Sequence, residues 1–376
     1  MKILFYFSGF APIGGIETFA KNLLCYLQAK NFDCRLVCWG QKSPLLQSIE
    51  QAKVKIIRTS WRWGCRWGLP EWLLLPIGLQ QVKQADVVIL GKLLSTKILK
   101  QLKFQADNRT KFVYITPYRP LPPTKNTEKR KVLEALNLFD LILVQASEFT
   151  DDLQKIGYQG QIQIIPYIPH QPGKLQPLPP KEQLKIGFLG RLVEDKNIPL
   201  LLEAFNCFQE KYLQAYISKN RQHQQPSLHL FGDGHLREQL EQLANNFGIA
   251  SSVVFHGSVS NSQVEEAIAS CHLFAFTSHI EGQCLAALEI LGCGRPIVAT
   301  DAGALPEILA DSRLGRIVQP ANPNNFANSL MEMAKLIEQQ SMSPEMIRSA
   351  YLERYAPEKV GAHYENLLTS LYQNNY

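Results

Sequence analysis

The feature that most limits what this chain can fold into is its rhythm. Short apolar runs of strand character alternate with longer helical stretches, and prolines break the alternation once. Such alternation predicts parallel sheets covered by helices, an α/β architecture. In the first half the strand runs are Ile3–Phe7, Cys34–Trp39, Lys55–Ile57, Val87–Leu90, Phe112–Thr116, Leu141–Val144 and Gln163–Pro166, with a helix from about Ile16 to Lys30 between the first two. Pro169, Pro172, Pro177, Pro179 and Pro180 then crowd a segment that can hold neither a helix nor a central strand, so it reads as a linker. A second alternation follows, with strands Lys185–Leu189, Ser227–Phe231, Val253–His256, Leu273–Phe276, Pro296–Ala299 and Gly315–Val318. At 376 residues the chain suits two domains of ordinary size. The expected boundaries are 1–168, a linker 169–183, a second domain 184–356 and a closing helix 357–376. Ligands of Rossmann-like sheets bind beyond the C-terminal strand ends. Two such edges are expected to face each other across a cleft, with the last helices, about Pro344–Ala356 and Pro357–Tyr372, packing over the domain junction.

Several runs at those strand ends carry chemistry. Glu281 and Glu289 are separated by seven residues, in a stretch that reads as loop, helix, glycine stop, buried strand and turn. A carboxylate at Glu289, one turn into a helix starting near Leu285, can accept two hydrogen bonds from a ribose diol. Glu281 precedes that helix, and Gly282 lets the backbone N–H groups of Gln283, Cys284 and Leu285 approach sugar hydroxyls. The alternative is two solvent-exposed acids. Arg191 and Lys196 follow the strand ending at Gly190, and two cations there can neutralise a diphosphate. The alternative is pairing with Glu194 and Asp195. Gly14-Gly15 opens the first helix, where backbone can approach an anion, or where a turn simply needs glycine. Phe231-Gly232-Asp233-Gly234 and His256-Gly257-Ser258-Val259 end two further strands. A tight turn and a structural histidine are the plain readings of these.

Together these motifs resemble the large family of retaining, nucleotide-sugar-dependent glycosyltransferases with the GT-B fold. The matching runs are the glycine pair after the first strand, Gly190-Arg191-Leu192 with Lys196, Gly232-Asp233-Gly234, and Glu281 to Glu289 followed by Gly294-Arg295-Pro296-Ile297-Val298-Ala299-Thr300-Asp301. The resemblance is specific from Leu184 to Val318 and general elsewhere. It implies that Arg191 and Lys196 hold the donor diphosphate and that Glu289 binds the ribose. It implies that Glu281 contacts the donor sugar and supports the reacting centre, while Gly15 approaches the diphosphate. Gly232 and Val259 would lie near the base, and Gly282 to Leu285 near the sugar. The closing helix would cross back to the first domain. The chain departs from the family where a histidine often follows the strand at Phe112–Thr116, since it reads Thr116-Pro117-Tyr118 there. It departs again where Pro166-Tyr167-Ile168-Pro169 replaces an Asn-Gly turn. The resemblance implies a nucleotide-sugar donor and a glycan, lipid-linked or small-molecule acceptor. A nucleotide-sugar epimerase of the same fold and a non-catalytic binding partner are the rival readings.

No two aspartates are spaced Asp-x-Asp, so metal independence is expected, and no cofactor besides the donor. The eight cysteines include no Cys-x-x-Cys pair, which argues for free thiols rather than a zinc or redox site. No apolar run is long enough to span a bilayer, and Lys2–Phe7 reads as a strand rather than a signal peptide, so a cytosolic place is expected. The formal charge is +6, and Lys92 to Lys131 holds eleven Lys or Arg against Asp107 and Glu128. That is a solvated basic face or an attraction to anionic lipid. Nucleic acid is not expected, for no nucleic-acid motif is present. Trp61, Trp63, Trp67 and Trp72, with Arg62 and Arg66, read equally as a membrane-interface contact or as a core corner.

Overall fold

The computed structural model describes residues 1–7, 10, 15–39, 43–59, 75–120, 122–180, 182–217, 224–260 and 262–373. Gly14 and the Trp61–Trp72 segment lie outside these residues. The chain divides into two compact units, Met1–Pro169 with Pro357–Tyr376, and His170–Ala356.

The first unit is built on β1 (Lys2–Phe7), β2 (Asp33–Trp39), β3 (Lys55–Thr59), β4 (Val87–Leu90), β5 (Lys111–Ile115), β6 (Leu141–Val144) and β7 (Ile162–Ile164). They form one parallel sheet in the order β3-β2-β1-β4-β5-β6-β7. The strands β4 and β6 are buried along their whole length, which is why they read as unbroken apolar runs rather than alternating ones. Strand order reverses between β1 and β4. At that crevice Gly91 has no room for a side chain, because a Cβ would sit 2.3 Å from the Phe7 ring.

The closing helix, Pro357–Gln373, belongs to this unit and packs on the helix Gly15–Ala29. Tyr364 lies 5.6 Å from Phe19 between ring centroids, and the Tyr26 hydroxyl donates to Glu365 at 3.3 Å. Phe19 also stacks on Tyr167 at 4.3 Å. The Tyr167 hydroxyl donates to the Thr116 carbonyl at 2.7 Å, and Asn22 donates to the Ile168 carbonyl at 2.8 Å. The two places where the chain departs from the family pattern are therefore bonded to each other.

The second unit carries β8 (Lys185–Leu189), β9 (Ser227–Phe231), β10 (Val253–Gly257), β11 (Leu273–Phe276), β12 (Ile297–Thr300) and β13 (Gly315–Val318). All pair in parallel, in the order β10-β9-β8-β11-β12-β13, with the reversal between β8 and β11. The ladder of β12 starts one residue later than expected because Pro296 has no N–H to donate. For the same reason β7 ends before Pro166.

The proline-rich segment is held by side chains of the second unit. Arg348 donates to the carbonyls of Gly173 and Pro172 at 2.7 and 3.2 Å, and Glu265 accepts from the Gly173 N–H at 3.1 Å. Arg295 is fully buried, and its guanidinium donates to the carbonyls of Cys271, Gln176, Cys293, Pro177 and Ala269 at 2.7–3.3 Å. Burial lowers its pKa from the ordinary arginine value, and among the described residues no carboxylate bonds it.

Candidate active site

The C-terminal ends of β8, β9 and β10 are laced by backbone. Gly190 N–H donates to Phe231, Leu192 N–H to Asp233 and Gly232 N–H to Gly257, at 3.0, 3.0 and 2.8 Å. Gly232 has φ +145°, and a Cβ there would lie 1.8 Å from the Gly190 carbonyl oxygen, so only glycine fits this approach. The register of β10 shifts between Phe255 and Gly257, which leaves His256 as the extra residue of a bulge. His256 stacks on Phe231 at 4.3 Å and shares a 2.9 Å hydrogen bond with His229, whose other nitrogen meets Ser227 at 3.0 Å. Burial, with His256 and Lys185 adding repulsion, pushes the His229 pKa down to about 4, and burial lowers that of His256 too. The pair is therefore neutral at pH 7. Val259 is half-buried in the loop that follows.

At the reversal between β8 and β11 two loops meet. Lys196 ends a single 3-10 turn, Glu194–Lys196, and Asn197 turns the chain with φ +46° into the helix Ile198–Ile217. Glu281 follows β11 and is only 5% exposed. The Lys196 ammonium donates to its carboxylate at 2.6 Å, and the Ser278 hydroxyl donates at 2.7 Å. Three further bonds fix the two loops. The Thr277 hydroxyl donates to the carbonyls of Lys196 and Asn197 at 3.1 and 2.9 Å, and His279 N–H donates to the Asp195 carbonyl at 2.9 Å. From β12, the Thr300 hydroxyl donates to the Ser278 carbonyl at 2.7 Å, and Ala304 N–H donates to Gly282 at 3.0 Å. Gly303, with φ +56°, completes the packing, since a Cβ would lie 2.5 Å from the Glu281 carbonyl oxygen.

Gly282, Cys284 and Leu285 are half-buried and Gln283 is buried. Cys284 precedes the helix Leu285–Gly292 with φ +55°, a backbone state that costs a non-glycine residue roughly 1–3 kcal/mol. Burial and the neighbouring Glu281 carboxylate raise its thiol pKa. Glu289 sits one turn into that helix, half-buried. Arg191 is exposed just beyond β8 and makes no ion pair among the described residues, while Glu194 pairs with His235 at 2.8 Å. The pairing of Lys196 or Arg191 with Glu194 and Asp195, weighed above as the alternative, is thus replaced by Lys196 on Glu281.

The structure brings Lys196, Glu281 and the Gly282–Leu285 run together, with Arg191 in the same β8 loop and Gly232 packed against Gly190 at the base of that loop, between the Phe231 and Asp233 carbonyls that accept from Gly190 and Leu192. Glu289 and Val259 sit on flanking elements of the same unit, whereas Gly15, exposed at the start of its helix, belongs to the first unit. Ser278, Thr277 and Gly303 were not singled out from sequence. Only the turn-like Asp301-Ala302-Gly303 and the hydroxyls flanking Glu281 hinted at them. Among the described residues no group of three or more His, Cys, Asp or Glu is placed to hold a metal ion. A shielded ammonium–carboxylate pair at a topological switch point offers a cation for an anionic group and an acceptor for a hydroxyl.

Residues 174–352 match the family described as glycosyl transferases group 1. An uncharacterised glycosyltransferase of Methanocaldococcus jannaschii is 30% identical over 146 residues, 39% of this chain and 34% of that protein. The poly(ribitol-phosphate) alpha-N-acetylglucosaminyltransferase of Staphylococcus aureus is 21% identical over 65% of this chain and 47% of its own length. The chain thus spans between a third and a half of these two relatives. The crystal structure of HepE from Anabaena in complex with UDP and glucose superposes with a TM-score of 0.74 at 19% identity, over 98% of this chain and 100% of that one. The fold is GT-B.

Proposed function

We propose that this chain, whose residues 174–352 match the glycosyl transferases group 1, moves a sugar from a nucleotide-sugar donor to an acceptor hydroxyl. Transfer proceeds with retention of anomeric configuration, in the synthesis of a polysaccharide, glycolipid or other glycoconjugate. The observation that carries this reading is the Lys196–Glu281 pair at the reversal between β8 and β11, where parallel sheets bind their ligands. The names of the relatives support it: one transfers N-acetylglucosamine to poly(ribitol phosphate), and one structural neighbour was solved with UDP and glucose.

Breaking a sugar–phosphate bond builds positive charge at the anomeric carbon and negative charge on the departing diphosphate. In this reading Arg191 and Lys196 stabilise the diphosphate, and the position of Lys196 is fixed before the donor arrives. Thr277 holds the backbone carbonyls of Lys196 and Asn197, so the ammonium need not reorganise. Glu281, oriented by Ser278 and Lys196, accepts from a hydroxyl of the donor sugar and faces the positive charge that develops beside it. The N–H groups of Gln283 to Leu285 approach the same sugar, Glu289 takes the ribose diol, and Gly232 and Val259 border the base. No metal is required in this scheme, because the two cations supply the charge that a metal otherwise would.

The test is release of nucleoside diphosphate from a panel of UDP-, GDP- and ADP-sugars, with cell-envelope extract as acceptor. One donor class is expected to turn over, unaffected by chelator. Lys196→Ala should lower kcat by about a hundredfold or more, the scale of losing one preorganised charge stabiliser. Turnover with no acceptor dependence, or equal turnover in Lys196→Ala, contradicts the proposal.

A further inference from the structure

Thr116, Tyr118 and Gln145, at the C-terminal ends of β5 and β6 in the first unit, have no part in the transfer scheme above. Gln145 directly follows β6 and is 4% exposed. Its amide oxygen accepts from the Thr116 hydroxyl at 3.3 Å, and its amide nitrogen has no partner among the described residues. Turning the amide over does not cure this. The nitrogen would then donate to Thr116, whose hydroxyl also reaches the Leu143 carbonyl at 3.4 Å and can donate there, and the amide oxygen would be left over instead. In either orientation one end of a buried amide is unsatisfied, which is rare in a folded chain and calls for a ligand or a water.

Tyr118 stands two residues beyond Thr116 and is 70% exposed. Its backbone is held on both sides. The Thr116 N–H donates to the Leu143 carbonyl at 3.1 Å, and the Thr116 carbonyl accepts from the Tyr167 hydroxyl at 2.7 Å. On the other side Arg119 pairs with Glu148 and with the buried Asp152, at 2.5 and 2.6 Å. An exposed phenol between two fixed neighbours adds nothing to the core, but its loop has little freedom left to lose when a ligand arrives.

The charges beside this ring offset one another. Arg119 and Lys155 stand against Glu148 and Asp152, with Lys155 on Asp152 at 3.1 Å. Asp151, exposed on the same helix Ser147–Ile156, adds one negative charge. Lys92, after β4, already has a partner, and Lys125 stands at the start of a separate helix, Asn126–Leu136. A phosphate or carboxylate thus finds no uncommitted cation among the described residues of these two strand ends. They offer an aromatic face and an amide instead. A pyranose suits both: its C–H face packs on a ring, and its hydroxyls donate and accept, so they satisfy the amide whichever way it lies.

We propose that Tyr118 and Gln145 take the pyranose ring of an uncharged saccharide, the acceptor of the transfer. Tyr118 stacks on the sugar face. Gln145 rotates its side chain to bring the unsatisfied end of its amide to a ring hydroxyl. That this saccharide is the acceptor rests on the transferase reading; that it is neutral and ring-shaped rests on the two strand ends alone.

The experiment is saturation-transfer NMR on the full chain with methyl β-glucoside, methyl β-galactoside and methyl N-acetyl-β-glucosaminide, against methyl β-glucuronide and glycerol 3-phosphate as charged probes. At least one neutral glycoside is expected to take up saturation, strongest at its ring C–H protons, and the charged probes less. Tyr118→Ala should weaken the Kd for that glycoside about tenfold, the upper end for one aromatic contact, and Tyr118→Trp should keep it. Gln145→Leu should weaken it about fivefold while the unfolding temperature holds or rises, because an unsatisfied amide leaves the buried strand end. Four results overturn the proposal: no saturation of any neutral glycoside, equal binding by Tyr118→Ala, tighter binding of a charged probe, or a lower unfolding temperature with unchanged binding in Gln145→Leu. Titration of the same samples with UDP, GDP and ADP reads the donor site separately. Wild type and Tyr118→Ala should bind nucleotide alike, and failure of all three nucleotides on wild type counts against the transferase reading, whatever the glycosides do.

Discussion

Replacing Arg295 by methionine should unfold the second unit far more easily while sparing its donor chemistry. The residue stands in the Gly294-Arg295-Pro296 run that resembles the family motif, yet its guanidinium reaches only backbone carbonyls, five of them at 2.7–3.3 Å. Gln176 and Pro177 belong to the proline-rich segment, so Arg295 fastens that segment to the strands. Methionine fills a similar length and donates nothing. The buried Cys271 carbonyl and four part-buried ones then lose a donor, at about 1–3 kcal/mol for each one that water cannot reach. The desolvation of the guanidinium, several kcal/mol, is no longer incurred and offsets part of that loss. The balance is a loss of about 1–3 kcal/mol, since the neutral carbonyls left behind carry no uncompensated charge. Arg295→Lys keeps three donors on a shorter, non-planar head and should lose about half as much. Urea unfolding followed by tryptophan-independent circular dichroism, with hydrogen exchange across residues 172–180, reads both effects. A loss below about 1 kcal/mol for Arg295→Met, or unchanged exchange in the segment, refutes the reasoning.

Three other outcomes follow from the same geometry. Gly303→Ala places a Cβ 2.5 Å from the Glu281 carbonyl oxygen at φ +56°, so it should cost roughly 1–3 kcal/mol of stability and weaken nucleotide-sugar binding, read by unfolding and by titration calorimetry. His229 and His272 both have pKa values lowered from 6.5 to about 4, so the unfolded chain binds protons that the folded one does not. Stability should therefore fall as pH drops from about 6.5 toward 4, and His229→Asn should flatten that slope in urea titrations at stepped pH. Cys284→Gly removes the positive-φ penalty at the start of the Leu285–Gly292 helix. It should leave stability equal or higher, while nucleotide-sugar KM changes if the thiol shapes the space beside Glu281.

Most of the sheet architecture was legible. The runs Val87–Leu90, Leu141–Val144, Lys185–Leu189, Ser227–Phe231, Leu273–Phe276 and Gly315–Val318 coincide with strands residue for residue, because apolar β-rich runs bounded by turn residues admit few other fates. Ends went astray at prolines, where the missing N–H stops the ladder, as at Pro296 and Pro166. At the site, spacing identified Lys196 and Glu281 as separate candidates, but their contact spans 85 positions and comes from strand order, which no local pattern carries. Arg295 stands in the run that resembles the family motif without a role that the sequence assigns, and only three dimensions turn it toward the linker. The bond between Tyr167 and Thr116 likewise joins two departures that look unrelated along the chain.

The central claim is that the switch point of the second unit holds a nucleotide-sugar donor. Thermal unfolding with UDP, GDP and ADP, for wild type and Glu289→Ala, tests it most directly. A ligand of the native state at a hundredfold excess over Kd adds about 2.7 kcal/mol, several degrees for a unit of this size. The account predicts a shift with one nucleotide class in wild type and its loss in Glu289→Ala. No shift with any of the three, or an equal shift in the variant, contradicts it.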